Sequence, residues 1–354
     1  MEAKHTSDKP WLSYLADGAL LFGLCLLFFW RDLTPVVADR WSFAAGDFTQ
    51  QFYAFARYEA ARLQNGQLPL WNPYIYAGHP FLADIQAAVF YPLSLLTILL
   101  TAVKGFSYRA LELEAIGHFF LAALFTYLLA RRLTRCRVGG LAAAIAFAFS
   151  GYLTSYPPLQ LAILETQVWL PLILLLLYVA ADRLAASRGG NWAALRWTVA
   201  AGVVLGVALL AGHPQSGMLV GYGGLAFGLF CFWPRPSTRR LAAWKWPLAL
   251  LAVFAVVGLG IAAIQWMPSW ELVQLSTRSA LPFDEAGSGF TPYDLLQPIL
   301  PALGGNVPAL YFGVLPLGLA ILALSTVRRD VAEPAASRRQ LSVELQVTAD
   351  SLEV

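Results

Sequence analysis

Between Gly46 and Pro92 an acid, two glutamines, a series of aromatics and a His-Pro pair stand between hydrophobic segments, so polar chemistry would take place beside a bilayer. From Asp47 onward Phe48, Phe52, Phe55 and Leu63 fall near one stripe while Gln51, Arg57 and Arg62 fall elsewhere, the pattern of an amphipathic helix lying along a membrane interface. Asp47 heads that helix, close to headgroup level, where a carboxylate can accept a hydroxyl proton as a general base acting on a lipid-anchored substrate. With Gln50 three residues on, the same acid has the form of a capping box, so both roles are open to it. Glu165 follows the Tyr156-Pro157-Pro158 break and precedes a span beginning near Val168; it is either a second acid for the site or an acid favoured by a helix dipole. Arg278, in the run Ser276 to Ser279, offers a planar fork of donors suited to phosphate, or is a solvated loop residue. His79 and His213 each precede a proline at a turn. Together with Asp84 and Gln215 they are candidates for bonding substrate hydroxyls or phosphate, and each histidine taken singly is also a structural turn residue. His118 falls inside an apolar run and reads as an interhelical hydrogen-bonding residue.

The elements that must position these groups are membrane spans. Hydrophobic residues make up 58% of the 354 residues and charged ones 13%, far too little polar surface for a soluble chain of this length. Trp11 to Trp30 holds one acid, Asp17, and is long enough to cross a hydrocarbon core of about 30 Å. Without an A-x-A-like cleavage site after it, it reads as a retained first span. Further spans fall near residues 110–130, 138–156, 167–182, 196–212, 215–233, 247–267 and 309–327. Val89 to Val103 covers only about 22 Å and is expected to be half-inserted or re-entrant.

The expected fold is therefore an all-α polytopic membrane protein with about eight full spans and one short re-entrant helix. A single multi-span domain would occupy residues 1–329, followed by a mobile polar tail over 330–354. Arg131, Arg132, Arg135 and Arg137, then Arg183, Arg188 and Arg196, then Arg235, Arg239, Arg240 and Lys245, then Arg328 and Arg329 cluster at alternate span ends. With the N-terminus inside, this puts most of the 24 Lys and Arg residues on the cytoplasmic side. Two large loops then face outward, about 31–109 and 268–308. Asp47, His79, Asp84, Glu165, His213, Gln215, Glu271, Arg278, Asp284, Glu285 and Asp294 all fall on that outer face. If Val89 to Val103 does cross, an outside N-terminus keeps the basic clusters inside but moves the 46–92 loop there too. The aromatics Trp71, Tyr74, Tyr76, Trp169, Trp266 and Trp270 fit interfacial belts and would equally stack on a sugar ring.

The net charge of +3 reflects basic clusters facing anionic lipid, and no nucleic-acid partner is expected. The three cysteines suggest neither a disulfide framework nor a metal site. None of the four lysines follows a phosphate-cradling glycine motif. No cofactor is expected; a divalent metal is compatible with a pair of acids, but no ligand motif supports one. Ala-Gly-His-Pro occurs twice, at Ala77 to Pro80 and Ala211 to Pro214, with unlike flanks and so no repeat.

With these residues in view, the chain resembles the YfhO-type family of bacterial multi-span proteins, within the GT-C glycosyltransferases. The resemblance is carried by Gly46-Asp47 with Gln50-Gln51, Trp71-Asn72-Pro73, Gly78-His79-Pro80, the run Phe90 to Leu96, His118 leading to Tyr127 through Leu133, Phe149-Ser150-Gly151-Tyr152, and Gly212-His213-Pro214-Gln215. It extends over about residues 46–325. It implies a GT-C-like helical bundle in the bacterial plasma membrane, moving a sugar from a polyprenyl-phosphate donor to an extracytoplasmic glycan or polymer acceptor. It also implies an essential acid in the first outer loop, at the position of Asp47, and a second acid at Glu165. Family members usually continue with more spans and an outer domain, so this chain is expected to be a short or truncated member. The rival expectations are a transporter or flippase for a lipid-linked solute, and a non-catalytic membrane scaffold. Against transport, the predicted spans hold few ionisable residues.

Overall fold

Apolar runs of this length become helices because a backbone in hydrocarbon has to satisfy its own N–H and C=O groups. The computed structural model describes residues 10–43, 45–186, 191–233, 244–280 and 314–332, with residues 282, 292, 296, 297 and 300. Its principal helices are α1 (Pro10–Phe28), α2 (Ala54–Gln64), α3 (Pro92–Leu100), α4 (Tyr108–Thr134), α5 (Arg137–Ala148), α6 (Leu161–Gln167), α7 (Leu170–Ala186), α8 (Trp192–Leu210), α9 (Pro214–Cys231), α10 (Lys245–Gln274) and α11 (Val314–Ala332). Among the described residues there is no strand, only an isolated bridge between Asn72 and His79.

Six stretches are long and apolar enough to cross a membrane, and the chain is a multi-pass membrane protein on that ground. They are Trp11–Phe28, Tyr108–Thr134, Arg137–Thr154, Leu161–Ala186, Trp192–Leu210 and Lys245–Gln274. The other two expected spans stand apart for physical reasons. Helix α9 has 18 residues but is diluted by five glycines and by Pro214, Gln215 and Ser216. In α11 the described apolar run is the ten residues Val314–Ala323, and residues 309–313 of that expected span lie outside the described residues. The helix continues to Ala332, past the expected exit at Val327; the rest of the expected tail, from 333, also lies outside the described residues. Within Val89 to Val103 the helix is only nine residues, about 14 Å, too short to cross.

Two large hydrophobic clusters make up most of the core, with smaller ones around Tyr91 and Phe81. One large cluster joins α1 through α6, the other α7 through α10, and Trp169, at the joint between α6 and α7, packs against both. Pro171 lacks the N–H that would continue the helical ladder there, which accounts for the break. Helices α8 and α10 approach through small residues: a Cβ on Gly202 would fall 2.8 Å from that of Val257, and one on Gly258 would fall 2.6 Å from Leu205 Cδ2.

The stripe of Phe48, Phe52, Phe55 and Leu63 departs from the interfacial expectation. Phe48 to Tyr53 form a π-helical turn leading into α2, Phe48 is fully buried against Phe43 and Tyr108, and Phe55 packs edge-on against Phe81. The stripe is covered by protein rather than lipid. At one end of the bundle, fully buried Asp17 accepts from Arg137 Nη2 at 2.6 Å and Nε at 2.8 Å, from Arg131 at 3.2 Å and from the Tyr127 hydroxyl. Arg132 pairs with Asp182 on α7. Three of the four arginines read as one basic cluster, Arg131, Arg132 and Arg137, are thus bound by acids from α1 and α7.

Candidate functional site

Asp47 takes a helical conformation, and its side chain caps nothing: the Thr49 and Gln50 N–H groups go to the Gly46 carbonyl at 3.0 and 2.8 Å. The capping-box alternative therefore does not form. The half-buried carboxylate instead accepts from the side-chain amide of Gln160, the residue just before α6. Leu159 packs on the neighbouring Gly46, where a Cβ would come within 2.8 Å of it. The segment that holds Asp47 thus also forms one wall of a cavity of about 770 Å³.

The floor of that cavity is aromatic, with Phe28, Phe29, Phe43 and Phe119, and Arg31 and Asp32 bring charge to it. The Arg31 guanidinium lies 4.4 Å from the ring centroid of Trp41 and 5.2 Å from that of Trp30, held as a stacked cation. Burial pushes the Asp32 carboxyl up, while Arg109 pulls the other way. The Phe43 wall is pinned by α4: its N–H donates to Glu112 at 3.0 Å, and its carbonyl accepts from the Tyr108 hydroxyl at 3.1 Å. An open cleft of this size, with an aromatic wall and a stacked cation beside it, suits an amphipathic ligand with an anionic head.

Glu165 lies elsewhere. It is 4% exposed in the middle of α6, faces Glu114 of α4 and Glu59 of α2, and does not meet Asp47. Beside it runs a chain of buried hydrogen bonds. His118 Nδ1 donates to the Glu114 carbonyl at 2.8 Å, so in the neutral ring Nε2 is left to accept the Tyr91 hydroxyl proton at 2.7 Å. Trp169 Nε1 donates to the same hydroxyl at 3.1 Å. With its single proton committed to His118, the Tyr91 hydroxyl makes no comparable bond to the Glu165 carbonyl at 3.4 Å. His118 is thus the interhelical hydrogen-bonding residue the sequence indicates.

The remaining candidates are separate from both places. His79 Nε2 meets Asp84 Oδ2 at 3.1 Å, and Asp84 Oδ1 caps the Gln86 N–H at 3.0 Å. His213 Nδ1 accepts the Ser216 N–H at 3.1 Å as the N-cap of α9, and burial pulls its imidazole below the usual range. Gly212 before it has φ +89°, and the carbonyl of Ile85 lies 2.6 Å from where a Cβ would stand, so only glycine lets the 81–88 loop dock on this corner. Gln215 is exposed on the first turn of α9, and Arg278 is exposed on a 3₁₀ turn after α10. Glu271 is exposed; Asp284, Glu285 and Asp294 lie outside the described residues. Among the described residues no group of three or more His, Cys, Asp or Glu side chains is arranged to hold a metal ion.

Sequence reasoning overlooked Arg31, Asp32, Glu59 and Glu114. The signal for Glu114 was present: an acid four residues before His118, on the same face of a 27-residue apolar helix. Comparison of the chain with family models, curated proteins and solved structures returns no match.

Proposed function

We propose that this protein is a lipid-linked sugar transferase of the GT-C kind, acting at the extracytoplasmic face of a bacterial plasma membrane. The observation that carries this reading is the freedom of Asp47: its carboxylate does no capping and is held by Gln160 beside the aromatic cavity. In this reading the prenyl chain lies against Phe28 and Phe29, and stacked Arg31, rather than exposed Arg278, meets the phosphate. Asp47 takes the proton of the acceptor hydroxyl as its oxygen bonds to the anomeric carbon. The bond from that carbon to the carrier phosphate breaks, and the phosphate leaves with the electron pair, its charge met by Arg31.

One observation favours a second reading, a flippase or transporter for a lipid-linked solute. Glu114, His118 and Glu165 put ionisable groups inside the bundle, where coupled transport needs them. The two readings separate in vesicles containing the purified protein and radiolabelled polyprenyl-phosphate hexoses. A transferase moves label to an added glycan acceptor, and Asp47→Asn slows that by about 10²-fold or more, the contribution of a general base. Wild-type transfer by a folded Asn variant would remove Asp47 from the mechanism. Movement of the labelled lipid across the bilayer without transfer would select the flippase.

A further inference from the structure

Glu59 on α2, Glu114 on α4 and Glu165 on α6 are buried within electrostatic reach of one another. They are 2%, 8% and 4% exposed, and each acts electrostatically on another of the three. Ser94 donates to Glu114 Oε1 at 2.6 Å. Beyond that, Glu59 Oε1, Glu114 Oε2 and Glu165 Oε1 are buried oxygens with no hydrogen-bond donor. Three carboxylates this deep without a cation would carry the cost of lost hydration and of their mutual repulsion.

No Lys or Arg among the described residues forms an ion pair with any of the three. Helix α3 faces them with the hydroxyls of Ser94 and Thr97, the segment before it with Tyr91, and the head of α7 with the indole of Trp169. Helix α4 adds His118, whose two nitrogens are both engaged, and Glu112 on the same helix is taken by Arg109. On α2, Arg62 lies a turn beyond Glu59 and is half-buried, with its Nε enclosed, but it forms no ion pair with Glu59. The spacing does not hold a metal ion. Protonation removes the repulsion and lets one carboxyl donate to another.

We propose that Glu59, Glu114 and Glu165 form a proton-binding site, loaded at neutral pH, that clamps α2, α4 and α6 together with a proton shared between Glu114 and Glu165. The inference depends on neither functional reading. Unloading is a plain acid dissociation: an O–H bond breaks, its electron pair stays on the carboxylate and the proton goes to water. The like charges left behind push the three helices apart. Helix α6 is headed by Gln160, so a shift there reaches the Asp47 carboxylate.

Infrared spectroscopy of the full chain in lipid nanodiscs tests this directly. At about pH 7 the wild type should show the C=O stretch of protonated carboxylic acid, shifted by deuterium exchange and by ¹³C-glutamate, and reduced in Glu114→Gln and Glu165→Gln. If either variant fails to fold, the ¹³C shift in the wild type still assigns the band to glutamate. Absence of a glutamate band in folded protein overturns the proposal. In SDS unfolding, the folding constant of the wild type should fall by about tenfold per pH unit for each retained proton between about pH 6 and 9. A wild-type folding constant that stays level across that range also overturns it.

Discussion

Tyr91→Phe isolates the hydrogen-bond junction from the packing around it. The Tyr91 ring is fully buried against Ala88, Leu210 and Ala211, and phenylalanine keeps that shape. What is lost is one oxygen serving two partners: His118 Nε2 at 2.7 Å loses its donor and Trp169 Nε1 at 3.1 Å loses its acceptor. An orphaned buried polar group costs about 1–3 kcal/mol, and Trp169 is only half-buried, so the substitution should destabilise by about 2–4 kcal/mol. Unfolding in mixed detergent–SDS micelles, followed by tryptophan fluorescence, measures it. His118→Leu alone takes away the acceptor of the Tyr91 hydroxyl proton, and the double variant should cost about 1–2 kcal/mol less than the two singles summed. A cost below about 0.5 kcal/mol, or strictly additive singles, would refute the junction.

Gly202→Val, whose Cβ would stand 2.8 Å from that of Val257 and 3.0 Å from the Phe254 carbonyl oxygen, should cost about 1–3 kcal/mol by overpacking the α8–α10 contact. Gly260→Ala, on the same α10 but facing open space, should be neutral or stabilising by up to about 1 kcal/mol in the same unfolding assay. His213→Ala should lose about 1 kcal/mol of capping, and His213→Asn should restore it. Partial burial holds the imidazole below its usual 6.5, and it accepts the Ser216 N–H only when unprotonated. Its contribution is therefore present above about pH 6.5 and lost as pH falls below that, a dependence the Asn variant should lack in denaturation at a series of pH values.

The spans were legible because hydrocarbon imposes one rule, that a crossing helix be long and apolar, and the runs around α1, α4, α7, α8 and α10 obey it plainly. Helix α9 shows where that rule thins out: five glycines lower its apolarity without shortening it, so length and composition disagree. His118 was legible in kind, since an ionisable group inside a span needs a partner, though not which partner. Asp47 was legible as a position but not as a bond. A capping box is a local pattern spanning three residues, whereas the Gln160 amide that takes the carboxylate lies 113 residues away. The same distance problem hid the carboxyl cluster, whose members come from three separate helices and look, one at a time, like ordinary helical acids. The amphipathic stripe gave the right buried face and the wrong covering, because periodicity reports that a face is apolar and says nothing of whether lipid or protein lies on it.

The carboxylate of Asp17 has consequences for how the chain is made. It sits in the first crossing helix, yet the guanidinium that grips it most closely belongs to a residue 120 positions later. At about 5–20 residues per second the ribosome needs about 6–24 s to produce Arg137 after Asp17. For that interval the first helix carries an acid without its later partners, which weakens its hold in lipid by about 2.5–3.5 kcal/mol for an acid at the centre of a span. The α4–α5 hairpin removes that cost when it docks, so this part of the bundle gains its full stability in the bilayer as a group rather than helix by helix.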